Sequence, residues 1–318
     1  MFRHSIRALV LGLCTLTAAT PAAAAMALPA PAPQYRTTPA QAPELRSQTL
    51  SDLATAMKAE AFAYACLDLF ATEADRQAHP AVGKLFRGTA QTELDGYLRQ
   101  AAALAGTVGT NGANLRQAIS GETYEHQVMY RRFAEQARAD GDLKAAELFT
   151  ELARDEGRHR DAYRTALSAV TTGRGAVPVP PKADRVAVPA GLPKVTAART
   201  KANLQTAMHG EALAHAKYML FAAHARQTGH AALARLFEGT ATVELREHFA
   251  GEAALAGLVG TTKANLRKAI EQAADLAPGL AGRATSVGDT AVARYFRNLA
   301  AGEAGHAAAF RQALNQLG

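Results

Sequence analysis

The sequence predicts an all-α protein, two tandem four-helix bundles joined by a Pro/Gly-rich linker. Three observations lead there. Alanine and leucine dominate two long stretches in which apolar residues recur at spacings of three and four, and β-branched residues are sparse. Proline and glycine cluster between those stretches. The stretches also match each other: 49–60 aligns with 200–211, 85–90 with 236–241 and 113–119 with 264–270, all at an offset of 151. From 134–159 against 281–306 the offset is 147, so four residues, about one helical turn, are missing from the second copy between 270 and 281.

Taken in order, residues 1–25 read as a signal peptide. Arg3 and Arg7 form its basic start, 8–16 its apolar stretch and Ala23, Ala24 and Ala25 a small-residue cleavage site. The apolar stretch is shorter than the ~20 residues that span a bilayer. The expectation is an exported, periplasmic or secreted protein with no stable membrane insertion after cleavage. Residues 26–48, rich in alanine and proline, read as a disordered lead-in. The first domain, 49–168, divides into helices near 51–78, 80–105, 111–139 and 142–168. The breaks fall at His79-Pro80, at 106–109 and at 140–142. The linker is 169–199, with Pro178, Pro180, Pro181, Pro189 and Pro193. The second domain is 200–318, and the two domains together form a pseudo-dimer or part of a homo-oligomer.

Composition excludes several classes. The formal charge of +7 loses Arg3 and Arg7 with the signal peptide, and most of the remaining excess lies in 169–199. Neither folded region has a basic face to follow phosphates, so no nucleic acid is expected. Cys14 and Cys66 are the two cysteines, too few for a Cys-x-x-Cys metal ribbon. No Gly-rich phosphate loop or nucleophile elbow is present.

The chemistry resides in the acids. In the first copy Glu60 lies on helix one and Glu93 on helix two; Glu122 and Glu125 lie on helix three, Glu156 and His159 on helix four. Residues three apart share a helix face, so these six side chains can converge on one bundle axis. Burying five carboxylates together costs several kcal/mol each without cations, and two metal ions relieve that cost through carboxylate and imidazole ligation. Each acid taken singly also fits a solvated helix face; an acid at matching depth on every helix favours the metal reading. The second copy keeps Glu211, Glu244, Glu303 and His306. It has Ala273 and Leu276 where the first has Glu122 and Glu125, with Pro278 just beyond. This second site reads as degenerate, with Glu247 and His248 available as further ligands.

The run from Asn114 to Glu125 (NLRQAISGETYE), followed by Met129-Tyr130 and then by Glu156-Gly-Arg-His159, resembles the rubrerythrin family of ferritin-like proteins. The resemblance covers both copies. It implies ferritin-like four-helix bundles with two iron ions in the first domain, held by Glu60, Glu93, Glu122, Glu125, Glu156 and His159. Glu93 and Glu156 match the family's bridging glutamates, and Tyr130 matches a tyrosine beside the irons. The implied activity is reduction of hydrogen peroxide, or reaction with dioxygen, using an external electron donor because no rubredoxin-like cysteine domain is present. The alternatives are a ferroxidase or iron-handling protein and a non-enzymatic metal-binding bundle. Two positions depart from the family: Gly96 replaces the histidine of a Glu-x-x-His on helix two, and Leu67 replaces a second tyrosine, with Tyr64 one turn away.

Overall fold

A computed structural model of the chain describes residues 45–275 and 279–317. The signal peptide, most of the lead-in, and Leu276 and Pro278 lie outside the described residues. Among the described residues the chain is all-helical, with no strand. In order, the helices are α1 (Ser47–Arg76), α2 (Pro80–Gln91), α3 (Arg99–Leu104), α4 (Asn111–Tyr124), α5 (Tyr130–Ala139) and α6 (Leu143–Thr172). Then come α7 (Ala198–Gln227), α8 (Ala231–Val243), α9 (Phe249–Ala256), α10 (Thr262–Asp275), α11 (Leu280–Ser286) and α12 (Thr290–Gln316). Three π-helical stretches, Thr92–Leu98, Glu125–Met129 and Glu244–His248, join α2 to α3, α4 to α5 and α8 to α9.

The helix breaks follow local chemistry. Pro80 occupies the first turn of α2, where its missing N–H is not needed. Thr110 caps α4 by accepting from the Ala113 N–H at 3.2 Å. The turns before α4 and α10 are built alike: the Asn114 carboxamide oxygen accepts from Gly109 N, and the Asn265 oxygen from Gly260 N, both at 2.8 Å. The helix expected near 111–139 continues across the π stretch as α4 and α5, and the described parts of its second-copy counterpart are α10 and α11.

The way the helices pair differs from the expected domain plan. Each bundle takes one hairpin from each half of the chain. In one, α4, α5 and α6 pack with α7, α8 and α9. Leu115, Ala118 and Tyr163 meet Tyr218, Phe221 and Phe237 in its core, and Phe133 and Phe149 meet Leu204. In the other, α1, α2 and α3 pack with α10, α11 and α12, and Leu53, Phe70 and Phe86 meet Leu266, Phe296 and Phe310. The start of α7 docks on the α5–α6 turn through Arg199–Asp140 and Asn203–Gln136. The start of α1 docks on the α11–α12 region through Arg283–Asp52 and Thr49–Asp289. The boundaries 49–168 and 200–318 therefore mark sequence copies, not separately packed bundles. The exchange is sterically permitted because the two N-terminal hairpins carry matching core residues, Leu53 and Leu204, Phe70 and Phe221, Phe86 and Phe237.

The bundles meet along α1 and α7, where Phe62 stacks on His209 at 3.9 Å and Tyr64 on His215 at 5.5 Å. Tyr64 is thus an interface residue, not a substitute beside a metal. The linker is not free either. Residues 173–197 run as a strap across the α7–α9 hairpin, with Val186 N, Gly191 N and Lys194 N donating to the carbonyls of Arg246, Val259 and Leu255. At Gly257, φ of +61° and the closeness of Leu192 and Pro193 leave no room for a side chain.

Candidate metal centres

The six ligands grouped on the first copy divide between two clusters. Glu122, Glu156 and His159 meet Glu211, Glu244 and His248 from the second half; Glu60 and Glu93 meet Glu303 and His306. The exchange of hairpins is the cause. The grouping of Glu211 and Glu244 with Glu303 and His306 is corrected in the same way.

In the larger cluster, ligand atoms form two overlapping sets. Glu122, Glu156, His159 and Glu244 make one, and Glu156, Glu211, Glu244 and His248 the other; in each set the ligand atoms lie within 4.8 Å of one another. Glu156 and Glu244 belong to both. His159 Nδ1 lies 3.0 Å from Glu156 Oε2, 3.2 Å from Glu244 Oε1 and 3.7 Å from Glu122 Oε2. His248 Nδ1 lies 2.8 Å from Glu244 Oε2, 3.1 Å from Glu156 Oε1 and 3.7 Å from Glu211 Oε2. Glu244 and His248 are four apart, a spacing that the π-helical turn between them brings onto one side. Glu125 begins another π stretch and borders the cluster beside Gly210 without joining either set.

Burial drives the electrostatics. It raises the carboxyl of Glu122 well above its ordinary range, assisted by Glu156 and Glu244, and raises Glu125 with help from Glu211. It also raises Glu211, to about 8. Burial opposes ionisation of Glu156 as well, but His248 and His159 outweigh it and hold that carboxyl below its ordinary range. Both imidazoles are held well above theirs, against burial: His159 chiefly by Glu244, His248 chiefly by Glu156.

These groups fit two metal ions. Both oxygens of Glu244, Oε1 of Glu156, Oε2 of Glu122 and both nitrogens of His248 are buried without a hydrogen-bond partner. Such atoms are costly unless something else satisfies them. The close approaches at His248 Nδ1 lack hydrogen-bond geometry and converge instead on shared points. Carboxylate oxygen and imidazole nitrogen are a donor set for iron, manganese or zinc.

Three tyrosines line this cluster. The Tyr130 hydroxyl is in hydrogen-bond contact with Glu211 Oε1 and, at 3.0 Å, with Glu252 Oε1, its single proton serving one of the two. Tyr218 donates to Glu122 Oε1 at 2.5 Å, and the fully buried Tyr163 packs edge-on against its ring. Tyr218 stands at the second-copy position of Leu67, so the tyrosine missing from the first copy is supplied by the second. Likewise His248 provides the second-helix imidazole that Gly96 lacks. Glu252, fully buried, went unnoticed in the sequence because its first-copy counterpart is Ala101. A cavity of about 460 Å³, lined by Arg154, Asp155, Arg158, Lys182 and Glu247 among others, reaches His159 from the surface.

The smaller cluster brings His306 Nδ1 to 2.9 Å from Glu93 Oε1 and 3.8 Å from Glu303 Oε1. Burial, then Glu93, raises the carboxyl of Glu60, and burial, then Glu303, raises that of Glu93. Cys66, beside Gln272, is a buried core thiol pushed up to about 12 by desolvation.

A helical bundle with inward glutamates and histidines on facing helices defines a ferritin-like carboxylate metal protein. The rubrerythrin family model matches residues 91–167. The chain is 30% identical to a rubrerythrin of Porphyromonas gingivalis over 139 residues, 40% of this chain and 70% of that protein. It is 32% identical to nigerythrin of Nitratidesulfovibrio vulgaris over 136 residues, 38% of this chain and 67% of that protein. No solved structure gives a significant match. The chain belongs to the rubrerythrin family.

Proposed function

We propose that the chain is an exported non-haem di-iron oxidoreductase that reduces hydrogen peroxide. The observation that carries this reading is the pair of ligand sets sharing Glu156 and Glu244, the arrangement two adjacent ions require. When bound there, two ferrous ions supply one electron each and polarise the O–O bond. Glu122 and His159 hold one position and Glu211 and His248 the other. Tyr218 orients Glu122 by donating to it, and Tyr130 orients Glu211. The Glu252–Tyr130–Glu211 chain gives a proton a hydrogen-bonded path to the cluster. Packed rings of Tyr163, Tyr218 and Phe237 keep bulk water from the opposite side.

In this reading the electrons come from an external donor. Export is supported by the basic, apolar and small-residue order of the first 25 residues. No helix among the described residues is long and apolar enough to cross a membrane.

A ferroxidase reading has one observation in its favour. Asp155 and Glu247 line the cavity that leads inward and group with the buried His248, a route suited to an entering cation. Anaerobic stopped-flow of the diferrous protein distinguishes the two readings. Faster oxidation by hydrogen peroxide than by dioxygen, with reduction restored by a donor, supports the peroxidase. Faster oxidation by dioxygen, with ferric iron retained or released, overturns it.

A further inference from the structure

We propose that Glu60, Glu93, Glu303 and His306 form a second metal site that takes one divalent cation, fastening the first hairpin of the chain to its last helix. This inference stands apart from the peroxide reading, which rests on the other cluster. Glu60 comes from α1 and Glu93 from the π stretch after α2, while Glu303 and His306 come from α12. Ligand atoms of Glu93, Glu303 and His306 lie within 4.8 Å of one another. Both oxygens of Glu60, Oε2 of Glu93 and both nitrogens of His306 are buried without a hydrogen-bond partner. The groups acting on Glu60 include two carboxylates, Glu93 and Glu303, with His306 as the basic one among them. Three clustered carboxylates of this kind call for a cation.

The count of one follows from what the cluster lacks. The larger cluster has two overlapping ligand sets, and this one has a single set. Ala273 stands where Glu122 stands in the other, and Tyr97 where His248 stands. The Tyr97 hydroxyl lies so close to Gly302 that a side chain there would collide with it. A gap of about 10 Å³ between Glu93, Glu303 and Ala273 leaves space for roughly one water, the ligand a lone ion needs to complete its shell. Carboxylate oxygens with one imidazole suit manganese, ferrous iron or zinc.

The test uses the full chain, stripped with a chelator and dialysed against manganese(II), with metal counted by elemental analysis. The expected count is three per chain, falling to two in Glu303→Gln and to one in Glu156→Gln. Electron paramagnetic resonance of Glu156→Gln should show the hyperfine pattern of an isolated ion. Manganese should raise the melting temperature of Glu156→Gln but not of Glu156→Gln with Glu303→Gln. Should Glu303→Gln fail to fold by circular dichroism, Glu60→Gln replaces it. A metal count that neither Glu303→Gln nor Glu60→Gln lowers by one overturns the proposal, whatever number the larger cluster holds. Loss of this site while Glu156 still governs two ions leaves the di-iron reading standing.

Discussion

The two carboxylate–histidine clusters are built on one plan and equipped differently. Both place a glutamate on the first helix of a hairpin, a glutamate in a π-helical turn on the second, and a Glu-x-x-His on the last long helix. The larger adds Glu122 and His248, where the smaller has Ala273 and Tyr97. It also has Tyr218 where the smaller has Leu67, Asp155 where it has Gly302, and Glu252 where it has Ala101. The differences travel together. A tyrosine at 97 needs a glycine at 302, while His248 turns its Nε2 toward Asp155 at 3.8 Å. The ligand scaffold is thus common to both, and the number of ions it can hold is set by a few residues around it.

The sharpest way to break this contrast is to remove Glu156, which both ligand sets of the larger cluster share. Glu156→Gln is expected to lose two ions and peroxide turnover together, because Glu156 belongs to both ligand sets. Its apo form should be less stable than wild type, since the carboxylate that His159 and His248 hold ionised is gone, and circular dichroism checks that it folds before metal is counted. Exposed Glu147 on the same helix is the control. Glu147→Ala is expected to keep its metal and to change stability by no more than ~0.5 kcal/mol, measured by urea unfolding.

A second comparison asks whether the clusters follow the structure or the sequence copies. Glu60 and Glu122 lie on one copy but in different clusters; Glu122 and Glu211 lie on different copies but in one. Metal losses from Glu60→Ala and Glu122→Ala should therefore add. Those from Glu122→Ala and Glu211→Ala should be strongly non-additive, as for side chains sharing a site. The reverse pattern would restore the one-copy arrangement.

The sequence revealed the helices and the family and pointed to the acids and histidines that the fold buries in clusters, but not which hairpins pair. Period-three and period-four spacing marks an apolar face without naming its partner. Because the two N-terminal hairpins match, Leu53 and Phe70 could have packed against α6 as readily as against α12. His248 was visible as a spare histidine beside Glu247, and its spacing of four from Glu244 places the two on one helix side, but the sequence does not show that this side faces Glu156 of the other half. The apparent defects at Leu67 and Gly96 were real features of the smaller cluster attributed to the larger. That the linker straps the α7–α9 hairpin is not legible in the sequence, because prolines forbid helices without saying what an extended segment packs against.

A smaller effect separates the tyrosines. Tyr218→Phe removes the donor to Glu122 Oε1 at a fully buried site and should lower apo stability by about 1–3 kcal/mol in urea unfolding. Leu67→Tyr tests the other cluster. If the di-iron environment depends on that hydroxyl, Tyr218→Phe alters the ultraviolet absorption of the iron-loaded protein, and Leu67→Tyr leaves it unchanged.

The smallest effect concerns how the exchanged hairpins are held. Asp142 accepts from Thr196 N at 2.9 Å and Ala197 N at 3.1 Å, fixing the entry to α7 on the α5–α6 turn. Its counterpart Asp289 receives the Thr49 hydroxyl. Burial raises the Asp142 carboxyl, but the backbone N–H donors of Thr196 and Ala197 outweigh it and hold it below 3.8. A folded-state value below the unfolded one stabilises the protein above pH ~3.8, and that contribution disappears as pH falls through the folded value. Asp142→Asn should thus cost ~1 kcal/mol at neutral pH, with the gap to wild type closing in acid. Asp289→Asn, with one hydroxyl donor at stake, should cost less. Urea titrations at neutral and acidic pH measure both, and an Asp142→Asn deficit that persists in acid would show that geometry rather than charge anchors α7.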